Sequence, residues 1–181
     1  VKNMDYLKSQ KIIHWLMAIA IMIDLNVAQK FGGEMQLWDR LESRADHATM
    51  GLIITFLLIL RIILRYKYGA PSLPDSMSKW QVLAAQAGHY GLYILMGALV
   101  LTGIISATYA SDPILIFNSY DLAFANHNDD VFKIVRRMHE FCTNAIIALI
   151  VIHILAAIYH HFVLKDSTTS NMTKFWTTKK Q

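Results

Sequence analysis

Four stretches of the chain lose almost all their polar residues. They run from about Ile12 to Ala28, His47 to Leu64, Ala84 to Tyr109 and Phe132 to Leu164. Crossing hydrocarbon as a helix takes about 20 apolar residues. The stretches are of that order, and the last is long enough to tilt or protrude. Leu, Ile, Met and Ala dominate them, and none contains an internal proline. Open strands leave backbone groups unsatisfied in lipid. The predicted fold class is therefore an all-α integral membrane protein, a four-transmembrane-helix bundle, with residues 1–181 forming a single membrane domain in the lipid bilayer.

The polar segments between the spans set the expected topology. Lys2, Lys8 and Lys11 outnumber Asp5 before the first span. Arg61, Arg65, Lys67 and Lys79 outnumber Asp75 after the second. Lys165, Lys174, Lys179 and Lys180 outnumber Asp166 after the fourth. With four spans, all three groups fall on one side, and the positive-inside rule predicts both termini in the cytoplasm. The first eleven residues are polar and basic, and no small-residue cleavage site follows the first apolar run, so the first span is expected to stay in place.

Gly69, Pro71 and Pro74 predict a turn between Lys67 and Lys79. Leu37, Trp38 and Leu41, at near-helical spacing, predict a short amphipathic piece from Met35 to Asp46 lying on the outer surface. Ser111 to Asp130 is polar and carries no recognisable motif. Phe175 and Trp176 are expected to anchor the tail at the inner interface.

Composition agrees with the spans. The chain is 55% hydrophobic and 17% charged, against about 25% charged in soluble domains. Topology accounts for the net charge of +4, so it does not imply a nucleic-acid partner. The single Cys142 excludes an internal disulfide.

The chemistry is carried by histidine. Ionisable groups inside a membrane are costly and usually functional. Seven of the eight histidines lie in or at the end of a span: His14, His47, His89, His139, His153, His160 and His161. His127 lies in the outer loop and is expected to be simply solvated. From the topology, His14 lies near the inner side and His47 near the outer side. His139 starts the fourth span outside, and His153, fourteen residues on, lies about 21 Å deeper and only about 40° round the same helix. The two project from one face at two depths, which points to two stacked cofactors. His47 and His139 share the outer level; His14 and His153 share the inner one. Haem iron accepts two axial imidazoles, and helix bundles build such sites from facing helices. Gly51, one turn after His47, offers a porphyrin room at the backbone. Hydrogen-bonded helix-packing histidines are the bland alternative. A zinc or copper site is another, but ligands to one ion converge to about 2 Å from it, which two distant levels do not. His89, at the inner level, stays open as a spare ligand or as a group near a propionate or a substrate.

Several short strings resemble the bacterial cytochrome b561 family. They are Ile13-His14-Trp15-Leu16, Asp46-His47-Ala48 through Gly51, Arg61-Ile62-Ile63-Leu64-Arg65-Tyr66-Lys67-Tyr68, Gly88-His89-Tyr90-Gly91-Leu92-Tyr93, Met138-His139-Glu140, and Ile152-His153 followed by His160-His161. The similarity covers nearly the whole chain and is weakest from Ser111 to Asp130. It implies a four-helix bundle in the bacterial inner membrane with two haems b, one on His14 and His153 and one on His47 and His139. It further implies a superoxide oxidase type of activity, taking electrons from superoxide outside and passing them to ubiquinone. Related four-helix cytochromes serve instead as b subunits of larger respiratory, hydrogenase or dehydrogenase complexes. A haem-free metal carrier or scaffold is the alternative of another class.

A superoxide reaction is served by positive charge near the outer site. Lys133, Arg136 and Arg137 flank His139, and Arg44 precedes His47, so these bases are expected to ring the outer haem, with Asp112, Asp121, Asp129 and Asp130 mostly further out. Arg136 and Arg137 serve equally well to neutralise propionates or mark the interface. For ubiquinone, His160 lies seven residues after His153 on nearly the same helix face, and the resemblance also points to it. His161, Lys165 and Trp15 are weaker candidates, and an interfacial histidine pair reaching for water is the bland reading. Asp24, in the outer half of the first span, is expected to bond a neighbouring helix, through Asn26 for instance. Glu140 points away from His139 and is not assigned.

Overall fold

The computed structural model describes residues 5–29, 36–125 and 127–175. Four long helices run through it: α1 (Lys8–Gln29), α2 (Leu37–Tyr68), α3 (Lys79–Thr108) and α4 (Asp129–Tyr159). All four are long and apolar enough to cross a membrane, the last together with a π-helical turn over His160–Leu164. A short α5 (Ser167–Thr173) follows. Met35, Trp176, Lys2, Lys179 and Lys180 lie outside the described residues.

The ends of the helices follow local chemistry. Gly69 stops α2 at a positive φ of 69°, with its N–H on the Arg65 carbonyl. Ser78 and Gln81 form a reciprocal capping box that starts α3. Asn128 accepts from the N–H groups of Asp130 and Val131 to start α4.

The expected surface piece before the second span is not a separate element. Residues 37–46 are the opening turns of α2 and run unbroken into the apolar span. No proline interrupts Leu37 to Tyr68, and Ser43 and Ala45 are buried, so packing carries the helix outward beyond the hydrocarbon stretch. The loop between α3 and α4 is also more ordered than its sequence suggests. Leu115–Ile116 (β1) pairs antiparallel with Tyr120–Asp121 (β2), turning through Phe117 and Asn118 at positive φ. Asp121 Oδ1 accepts from the N–H groups of Ile114 and Ala123. Ala107, Ala110 and Ile114 form a small core with Ala48, Leu122, Ala123 and Phe132, which seats this hairpin on the helix ends. Phe117 N–H donates to Thr49 Oγ1 at 3.0 Å.

Helix α1 packs along α2 and α3 along α4, with much sparser contact between the two pairs. Met17, Leu58, Met96 and Ile146, one from each long helix, meet at the centre. An apolar slot lies between α1 and α4, lined by Met22, Leu25, Ile147, Ile150, Val151 and Ile154.

The two ends of the bundle differ. At the end that carries Asp5 and Phe175, called inner below, Lys11 is buried and donates to Asp5 at 2.9 Å and to the Lys174 carbonyl at 2.6 Å. Gln10 donates to the Gly69 carbonyl at 3.0 Å and Trp15 to the Met172 carbonyl at 3.1 Å. The start of α1, the end of α2 and the C-terminal tail are thus clamped together. The hairpin closes the opposite, outer end.

Candidate functional site

At the outer level, α2 and α4 bring His47 and His139 face to face. Their ring centres are 6.1 Å apart with planes crossed at 82°. An atom held about 2 Å from a nitrogen of each of two facing rings sets the ring centres about 6 Å apart. Each ring is tied by its other side. His47 Nδ1 lies 2.8 Å from the Asp24 carboxylate of α1. His139 Nδ1 lies 2.9 Å from Thr102 Oγ1 of α3. The Thr102 hydroxyl already donates to the Ala98 carbonyl at 2.7 Å, so it accepts from His139 Nδ1–H. Each imidazole is thus held at Nδ1, as in the usual arrangement of metal-binding histidine, where the other ring nitrogen is the ligand. Beside Thr102, Gly103 makes room for the ring: a Cβ there would sit 3.3 Å from His139 Cε1. Around Gly51 the space is open, with nothing within 4 Å of a Cβ.

At the inner level two rings converge on His153. His14 lies 6.4 Å from it, centre to centre, with planes at 78°. His89 lies 5.7 Å from it at 66°. His14 Nδ1 is buried without a hydrogen-bond partner. The positive charge of Arg61 acts on all three rings, and that of Arg65 on His89. Among the described residues, no three His, Cys, Asp or Glu converge as a cage for a metal ion.

Beyond the inner level, His160 begins the π-helical turn and is buried. Its Nδ1 lies 2.6 Å from Asp166 Oδ2. The other Asp166 oxygen accepts from Thr168 N–H and so caps α5. Burial alone would push the Asp166 carboxyl up, but hydrogen bonds from His160 and Thr168 hold it below the usual carboxylate range. Thr169 fastens α5 to the Ala157 carbonyl at 2.8 Å. His161 stays exposed, its ring edge-on to Phe162 at 4.6 Å.

A family model, prokaryotic cytochrome b561, matches residues 6–175. The chain belongs to the prokaryotic cytochrome b561 family. It is accordingly a multi-pass electron-transfer protein of the bacterial inner membrane, of a family that binds haem b. Cytochrome b561 homolog 1 of Escherichia coli (strain K12) is 28% identical over 171 residues, covering 91% of this chain and 94% of the relative. The probable superoxide oxidase CybB of Yersinia pestis is 28% identical over 163 residues, 88% and 90% of the two chains. Cytochrome b561 homolog 2 of Escherichia coli (strain K12) is 29% identical over 165 residues, 88% and 86%.

The donor set of this cytochrome b561 fits haem b. Two facing imidazoles at iron-bridging distance, each tied at Nδ1, suit a bis-histidine iron at the outer level. The inner rings have matching spacing.

Charge around the outer site departs from the expected ring of bases. Arg44 pairs with Asp112 at 3.1 Å, Lys133 with Asp129 at 3.2 Å and Arg136 with Glu140 at 3.0 Å. The last two are i, i+4 pairs on α4, a spacing that brings side chains together on a helix. Asp112 and Asp129 therefore stand against the bases rather than further out. Arg137 is exposed and makes no ion pair with the described residues.

The expected bond from Asp24 to a neighbouring helix forms, though not through Asn26. Asp24 reaches His47, while Asn26 bonds back to the Met22 carbonyl of its own helix at 2.7 Å. His127 is tied at both nitrogens, to the Tyr109 carbonyl and to Asp129. Glu140 faces Arg136. Thr102, Gly103 and Asp166 were not singled out from sequence. An acid within an apolar span, as at Asp24, was the one signal available.

Proposed function

We propose that this cytochrome b561 holds two haems b and carries electrons from superoxide at the periplasmic face to ubiquinone at the cytoplasmic side, with both termini cytoplasmic. His47 and His139 hold the outer haem; His14 and His153 hold the inner one. The observation that carries this reading is the meeting of histidines from different helices at two separate levels, with ring centres 6.1 and 6.4 Å apart. The superoxide step draws further support from the name of the Yersinia pestis relative, probable superoxide oxidase CybB.

Haem iron supplies the one-electron carrier at each level. The chain supplies the rest. His47 with His139, and His14 with His153, would each fill the ligand positions of a haem, which would favour electron transfer over oxygen chemistry. Arg137 and the partly neutralised Arg136 draw a small anion toward the outer level. The reaction balances as two superoxide anions losing one electron each and one ubiquinone gaining two electrons and two protons. At the inner side, His160 donates to a quinone carbonyl through Nε2, with its Nδ1 side fixed on Asp166.

A second reading has one observation in its favour. Three of the four outer bases carry a carboxylate partner, which weakens capture of a free anion and suits an electron relay docked to a larger respiratory or dehydrogenase complex. A haem-free carrier or scaffold is set aside by membership of a haem b family.

Stopped-flow spectroscopy of the purified, oxidised protein separates the two readings. Mixing with superoxide is expected to develop reduced b-haem bands that ubiquinone then reverses. Bands that ignore superoxide but respond to a protein donor select the relay.

A further inference from the structure

The four proposed ligands are not held alike. Each outer ring has a partner at Nδ1, but of different kinds. His47 faces a carboxylate at 2.8 Å and His139 a hydroxyl at 2.9 Å. At the inner level, His14 Nδ1 is buried without a partner. Both levels have bases nearby, Arg136 at the outer one and Arg61 and Arg65 at the inner one, but Asp24 brings a carboxylate to the outer level, 2.8 Å from His47.

Asp24 sits in an apolar span with its side chain only 14% exposed. A carboxyl group there is costly unless it is paired. Its reach across from α1 to α2 settles which nitrogen of His47 is turned away from the ligand. A carboxylate bonded to one nitrogen of imidazole also makes the other nitrogen a stronger donor. A more strongly donating ligand and a nearby negative charge both disfavour adding an electron to the iron, while nearby guanidinium groups favour it.

We propose that Asp24 is a positioning residue for the outer haem, orienting and polarising His47 so that the outer site is the weaker electron acceptor and electrons run inward. This rests on the reading that His47 and His139 hold the outer haem. Thr102, a neutral partner, fixes His139 without adding charge. The direction of transfer then rests on the acid that α1 brings to His47.

The test is a redox titration of the purified holoprotein, followed by absorption and by electron paramagnetic resonance of the ferric haems. The His139→Ala variant identifies which signals belong to the outer haem. In the wild type, the outer haem is expected to have the lower midpoint potential and a low-spin signal distinct from the inner one. Asp24→Asn is expected to favour reduction of the outer haem by tenfold or more, about 59 mV or more for one electron, and to leave the inner haem where it was. Its outer signal should move toward that of a neutral imidazole pair. Unchanged outer potential with both haems bound overturns the proposal, as does an equal shift at both haems. Should Asp24→Asn not load the outer haem, the wild type decides: an outer potential equal to or above the inner one overturns the proposal. His47→Ala or His139→Ala proteins that keep both haems would instead overturn the underlying ligand reading.

Discussion

Thr102 Oγ1 accepts from His139 Nδ1–H at 2.9 Å while its own proton goes to the Ala98 carbonyl. One hydroxyl on α3 thus fixes the tautomer of a ring on α4. Loss of such a supporting partner typically costs 10- to 100-fold in metal affinity, a generic range of about that size. Thr102→Val should therefore weaken retention of the outer haem while leaving the inner one, measured as haem content after purification. Thr102→Ser should restore it.

His47→Ala and His139→Ala should each remove one haem, the same one, and keep the other. His14→Ala and His153→Ala should remove the second. The measurement is haem per protein with redox titration of what is left. Loss of both haems from every variant would count against separate sites.

Arg137 is the outer base without an ion-pair partner among the described residues, and Arg136 is shared with Glu140. The double variant Arg136→Gln with Arg137→Gln should slow superoxide oxidation and flatten its dependence on salt. Glu140→Gln should do the reverse and speed the reaction at low salt. Rates unmoved in both proteins would remove electrostatic capture from the mechanism.

Asp166→Asn should slow quinone reduction with both haems in place, because His160 loses the group that fixes its ring. The same residue gives a pH signature. Its carboxyl is held below the ordinary 3.8, so its contribution to docking α5 is fully present above that pH. That contribution is lost as pH falls through the lowered value. Amide exchange in residues 167–173, taken relative to its intrinsic rate at each pH, should accelerate in acid below about pH 4 in the wild type. In Asp166→Asn it should be fast throughout.

The spans were legible because hydrocarbon permits so few polar residues that hydropathy alone marks them. The histidine levels were legible because fourteen residues on one helix return to the same face. Contacts made across helices were not. Nothing in the spacing of Asp24 and His47 says that α1 and α2 lie side by side, and Thr102 looks like any threonine in an apolar run. The π-helical turn at His160 widens the backbone without a sequence mark. Residues 37–46 looked interfacial because amphipathic periodicity is the same whether the helix lies flat or continues inward. The loop over residues 111–130 hid its hairpin because a two-residue strand pair is held by Asp121 and a few alanines rather than by an alternating pattern.

Helix α4 contributes one ring to each facing histidine pair, His139 outside and His153 inside, and among the described residues His14 of α1 and His47 of α2 do not pair with each other. In chain order it follows the other three spans. A nascent chain that has inserted only its first three spans has no completed pair to grip a porphyrin at either level. On the proposed ligand assignment, cofactor capture is thereby tied to the arrival of α4, and a chain truncated before Asp129 is expected to bind no haem.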